Sequence, residues 1–128
     1  MKDRKGQSLV EFALVVPLLL LLVIGIAELG RAWMTKNILT GAAREAARLY
    51  AVQNNTGAAY ARAENILRSS SLDNTQWTIT PIDQIAVDNS VGYRVDYNFS
   101  VTIAGFIPGL SSKTVPLSST TTMRKEWN

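Results

Sequence analysis

RKGQSLVEFALVVPLLLLLVIGIAELGRAW, residues 4–33, governs the reading of the whole chain. From Phe12 to Ala27 it carries no charge, and with Gln7 to Glu11 it makes a 21-residue helix candidate. A bilayer-spanning helix needs about 20 mostly apolar residues. The run is apolar around its full circumference, unlike the one-sided helix of a soluble surface. The competing interpretation, a central core helix, needs more surrounding protein than 128 residues supply. Lys2, Arg4 and Lys5 precede the run, and this cationic flank puts the N-terminus in the cytoplasm and the rest outside. The expected organisation is a basic leader over 1–6, a transmembrane helix over 7–28 and an extracytoplasmic domain over 29–128. The expected location is the plasma (inner) membrane, crossed once.

Pro17 falls inside this helix and deprives the carbonyl of Ala13 of its donor, so a kink or local loosening is expected. Membrane helices tolerate such a residue, and a role in packing against other subunits is the alternative. Two processing signals compete. Gly25-Ile26-Ala27 offers small residues after an apolar region, as a secretory signal peptidase requires, and would release everything from Glu28. At the front, a short basic leader ends in Gly6 and is followed by Gln7-Ser8-Leu9-Val10-Glu11. This resembles the prepilin signal, which a membrane peptidase cuts after the glycine, leaving the apolar helix on the product. Cleavage at Gly6–Gln7 creates an amino group that is largely cationic at neutral pH. Glu11 then becomes the fifth residue. The resemblance implies that it neutralises the N-terminal amine of a neighbouring subunit; two charges in a low-dielectric medium are each costly but tolerable as a pair. The other interpretation has Glu11 snorkelling to the cytoplasmic headgroups.

Composition narrows the chemistry. There is neither cysteine nor histidine, so disulfides, thiolate metal sites and the usual general base are excluded. The net charge is +3, but Lys2, Asp3, Arg4 and Lys5 supply +2 of it, leaving 10 basic against 9 acidic side chains. A basic stripe for nucleic acid is missing. No glycine pattern cradles phosphate, and no serine has a histidine partner or a nucleophile elbow. The aromatic residues Tyr93, Tyr97 and Phe99 alternate as core residues do, and Arg44, Glu45 and Arg48 read as a solvated helix face. No enzyme activity, cofactor, metal or small-molecule substrate is expected.

Helical spacing continues from Glu28 to Val52, with Met34, Ile38, Leu39, Ala42, Ala46, Leu49 and Tyr50 on one face and Asn37, Thr40, Arg44 and Arg48 opposite. An unbroken helix from Gln7 to Val52 would span roughly 70 Å. Gln53 to Gly57 breaks it, and Asn54-Asn55-Thr56 there matches a glycosylation sequon. A second helix is predicted at about Ala58 to Arg68, with Ala59, Ala63, Ile66 and Leu67 on one side. Trp77 and Ile79 then alternate with threonines, and a weaker run follows from Ile82 to Val87. The best strand runs from Tyr93 to Ile103. Gly105, Pro108 and Gly109 turn the chain back into a final strand, Thr114 to Arg124, which Pro116 assigns to an edge or a bulge. One apolar and one polar face mark an antiparallel sheet that covers something on one side, here the amphipathic half of the long helix.

The leader with GQSLVEFALVVPLLLLLVIGIAELGRA, followed by ILTGAAREAARLYA, resembles the TadE-like family, minor pilin-like proteins (pseudopilins) of tight-adherence pilus systems. The resemblance rests on Gly6, Glu11, Phe12, Ala13, Pro17, Gly30-Arg31 and the run at 42–48; the ending LSSTTTMRKE is similar but less specific. The major pilins of these systems are far shorter and usually have tyrosine where Phe12 stands, which points to an accessory subunit. The resemblance implies an α+β, pilin-like fold: a long membrane-spanning helix, a short second helix and an antiparallel sheet of three or four strands on the outer half of the long helix. It also implies processing by a prepilin peptidase, partnership with other pilins and pseudopilins, and a part in pilus assembly and adhesion. It favours Glu11 as an assembly residue over snorkelling, and disfavours loss of the helix to a signal peptidase. The alternative function is a membrane-anchored or secreted binding module unrelated to pili.

Overall fold

In a computed structural model, the structure describes residues 3–85, 88–106 and 113–127. The order is helix α1 (Asp3–Gln53), helix α2 (Thr56–Ser69), strands β1 (Trp77–Ile85) and β2 (Ser90–Ser100), a 3-10 turn (Thr102–Phe106) and strand β3 (Thr114–Arg124). This is the α+β layout expected from the sequence, with three strands. The helix starts ahead of Gln7, and its 51 residues continue without interruption through Pro17.

The break after α1 is tighter than the sequence suggests. Asn54 takes a left-handed conformation (φ 50) and its amide donates to the Tyr50 carbonyl, 3.1 Å away. Asparagine is one of the few residues that end a helix this way. Asn55 then caps α2, its side chain accepting from the Ala58 amide at 2.9 Å. Two residues thus suffice to close one helix and open the next, and Gly57 lies inside α2.

The sheet is antiparallel in the order β1-β2-β3. Trp77 pairs with Tyr97, which pairs with Leu117. Pro81 and Pro116 both lie on outer strands, where the missing amide costs least. Val91, Tyr93, Val95, Tyr97 and Phe99 are buried, while Arg94 and Asn98 are exposed on the other face. The buried row packs on α1 through Leu39, Ala42, Ala46 and Tyr50.

Three expectations need correction. Met34 does not join the buried face; it is 65% exposed. Ala43, Ala47 and Ala51 are buried although they lie beside the predicted stripe, because α2 packs against α1 as well, through Ala59, Ala63 and Leu67. The outer half of α1 is therefore a central element with two covered sides, and alanine keeps both neighbours close. The strand predicted over Tyr93 to Ile103 begins three residues earlier and stops at Ser100. Beyond it the chain turns onto α1. Pro108 and Gly109, and the end of the weaker run at Ala86 and Val87, lie outside the described residues.

The C-terminal end of α1 is sealed by residues after β3. The Glu126 amide donates to the Ala51 carbonyl at 3.0 Å, and the Trp127 indole N–H donates to the Tyr50 carbonyl at 3.1 Å. The Ala51 carbonyl, which the helix end leaves without an intrahelical donor, is thereby satisfied, and the Tyr50 carbonyl gains a second donor beside the Asn54 amide. Tyr50 also meets Tyr93 edge-on, with ring centroids 6.0 Å apart.

Candidate membrane and assembly site

Sequence and packing divide α1 into two halves. Leu9, Val10, Phe12, Leu14, Val15, Leu18 to Val23 and Ile26 are all exposed. At about 1.5–3 kcal/mol for full burial of each such side chain, burial on the order of 20 kcal/mol is left unrealised by the chain alone. The helix is long and apolar enough to cross a membrane once, and none of its most apolar window is buried within the protein. A core helix would be covered by its own domain, so that interpretation fails here. The exposed apolar surface is compatible with a single membrane anchor.

Gly6, Gln7, Glu11 and Pro17 lie along this half, all of them exposed. The cleavage candidate Gly6–Gln7 sits within the first turns of α1, and nothing lies within 4 Å of where a side chain at Gly6 would begin. Glu11 stands at the start of the apolar surface. The fold does not bring these four residues together with one another or with the outer domain; they are spread along one rod.

A second carboxylate, missed by sequence reasoning, marks where the rod enters the domain. Glu28 is only 9% exposed. Its Oε1 accepts from Arg31 Nη1 at 2.8 Å and from the Thr102 amide at 3.2 Å. Arg31 Nη1 also donates to the Thr102 hydroxyl at 2.8 Å, and the guanidinium lies 5.3 Å from the Phe99 ring centroid. This cluster explains the early end of β2, because the helix carboxylate recruits the Thr102 amide and the chain turns. Glu28 Oε2 is buried with no hydrogen-bond partner among the described residues. An unsatisfied buried polar group costs about 1–3 kcal/mol, and more when it is charged. Glu28 also lines an apolar groove of about 270 Å³ between α1 and the sheet, with Gly25, Leu29, Ala32, Phe99 and Val115. The available signal was the Glu28/Arg31 spacing of three at the end of an apolar run.

Elsewhere the polar groups stabilise the domain. Tyr93 donates to the Thr56 carbonyl at 2.7 Å, and Tyr50 to Asp83 at 2.8 Å. Burial, with smaller contributions from Tyr50 and Asp83, pushes the Tyr93 phenol up to about 12. Tyr50 is also raised, first by burial and then by Asp83. Glu45 reaches Arg62 on α2 at 3.7 Å. Among the described residues, no group of three or more acidic side chains is placed to hold a metal ion.

No curated protein and no solved structure matches the chain. Residues 6–48, which hold Gly6, Glu11, Pro17 and the Glu28–Arg31 pair, match the family model described as TadE-like protein, and this is the stretch on which the sequence resembles that family.

Proposed function

We propose that this chain is a non-enzymatic, minor pilin-like subunit that takes part in assembling a tight-adherence-type pilus or a related secretion machine. The observation that carries this is the uncovered half of α1, apolar on every side and rigidly continuous with the half that bears the domain. Such a rod is stable in lipid, and equally stable against the rods of other subunits. The TadE-like match over 6–48 supports the same reading. A prepilin peptidase would cut between Gly6 and Gln7, other pilins and pseudopilins would be its partners, and the domain would lie outside the cytoplasmic membrane.

Within this reading Glu11 pairs with the new N-terminal amine of a neighbour and fixes the stagger of one helix on the next. Glu11→Gln keeps the shape and removes the charge, so insertion and cleavage are expected to persist while assembly falls. An unpaired cation in lipid costs on the order of a few kcal/mol, or roughly a hundredfold in a docking equilibrium. Intact-mass measurement of the membrane fraction, with and without the cognate peptidase, reads the cleavage. Co-purification with partner pilins reads the assembly. A product that begins at Glu28 would overturn the anchored architecture, and normal assembly of the glutamine variant would return Glu11 to the headgroups.

A further inference from the structure

We propose that the groove beside Glu28 binds one phospholipid with a primary ammonium headgroup, the ammonium donating to the Glu28 carboxylate and the acyl chain entering the groove. The proposal rests on the reading that residues 7–28 cross the membrane. From Gln7 to Ala27 the helix rises about 30 Å, the thickness of a hydrocarbon core. Glu28 and Arg31 then stand at the outer headgroup layer. Leu29 and Trp33, 70% and 72% exposed, lie at the same height. Tryptophan is enriched at that interface.

The chemistry of the pair matches a zwitterion. Glu28 has one oxygen committed to Arg31 and Thr102 and one that is buried without a donor among the described residues, so the ammonium meets it as the carboxylate turns toward the groove that Glu28 lines. Both Arg31 contacts, to Glu28 and to Thr102, run through Nη1, and its side chain is 54% exposed. The remaining guanidinium N–H groups, which bond to none of the described residues, can hold a phosphate while the ammonium reaches Glu28. Behind the two charges lies the apolar groove, whose 270 Å³ suits a segment of acyl chain. A helix, about 10–12 Å across with its side chains, is too wide for it. A quaternary ammonium has no N–H to give, so the site discriminates between headgroups that share the same phosphate and the same chains.

The test uses the full chain in nanodiscs of dioleoyl phosphatidylglycerol mixed with either dioleoyl phosphatidylethanolamine or dioleoyl phosphatidylcholine. Lipid retained on release is counted by native mass spectrometry. One ethanolamine lipid per chain is expected, retained about tenfold or more over the choline lipid, as suits a hydrogen bond to a charged group. Glu28→Gln should bring that preference to within about twofold. Val115→Trp, on an exposed edge position lining the groove, should lose the lipid while leaving the circular dichroism unchanged. Equal retention of both lipids by the parent, or an unchanged preference in Glu28→Gln, overturns the proposal. A photoreactive residue in place of Ala32 that labels a second copy instead of lipid overturns it in favour of a protein occupant. A chain that fails to float with vesicles of any composition refutes the membrane-spanning reading itself.

Discussion

Replacing Gly92 by alanine tests whether β3 is clamped as closely to β2 as the register requires. Gly92 is on the middle strand, paired with Thr122. A Cβ at this position would lie 2.1 Å from the Thr121 carbonyl oxygen and 2.9 Å from the Thr122 Cα. Both are backbone atoms, so no rotamer change relieves the clash; β3 has to retreat by about 1 Å to restore 3.0 Å. Overpacking of this kind costs about 1–3 kcal/mol, and each loosened ladder bond about 0.5–1.5 kcal/mol. The displaced end of β3 leads into Glu126 and Trp127, which seal α1, so the damage is not confined to one pair. We expect a loss of about 2–4 kcal/mol, or roughly 10–25 °C in Tm for an outer domain of this size. Gly41→Ala is the opposite control: nothing lies within 4 Å of the added carbon, and the site is mid-helix. It should gain up to about 1 kcal/mol. Urea unfolding of the full chain in detergent micelles, followed by far-ultraviolet circular dichroism, measures both. A Gly92→Ala variant within about 0.5 kcal/mol of the parent would refute the register at that point.

Two further predictions concern the domain. The Tyr93 phenol, pushed up to about 12 in the fold against about 10 in an unfolded chain, stays neutral where the unfolded chain ionises, so its contribution is whole below pH 10 and is lost as pH rises towards 12. Tyr93→Phe should be less stable at pH 7, having lost the bond to the Thr56 carbonyl, yet should fall less steeply above pH 10; an unchanged slope in stability against pH would refute the assignment. Asn55→Ala removes the acceptor for the Ala58 amide and should cost about 1 kcal/mol in urea unfolding, with Asn55→Asp restoring most of it.

Local signals were legible wherever local chemistry decides the structure. Helical spacing and the breaker from Gln53 to Gly57 located both helices, and alternation with Pro116 pointed to an edge or a bulge for β3, which is an edge strand. The start of β2 was missed because Ser90-Val91-Gly92 does not alternate; Gly92 is required there by the approach of β3, which is invisible in a single strand. Its end was missed because Glu28, 74 residues away, competes for the Thr102 amide. A one-sided pattern includes Met34, which is exposed, and does not include Ala43, which is buried, because the helix is covered on two sides. Glu28 went unnoticed for a related reason: a carboxylate after an apolar run reads as the point where the chain meets water, and its burial depends on residues from the far end of β2.

The same features explain how one helix carries both an exposed apolar rod and a folded domain. Its 51 residues rise about 76 Å, and the outer half is held between α2 and the sheet, with its last carbonyls bonded to Glu126 and Trp127. That half has no freedom to tilt independently of the domain. The inner half leaves most of its large apolar side chains from Leu9 to Ile26 exposed to a neighbour. Where the halves meet, Glu28 and Arg31 tie the helix to Thr102, so the domain is fastened at the height where the apolar surface ends. A force along the rod therefore reaches the domain through a bonded junction instead of a flexible linker. Any axial step taken by the exposed half, against lipid or against another rod, moves the outer domain by the same distance.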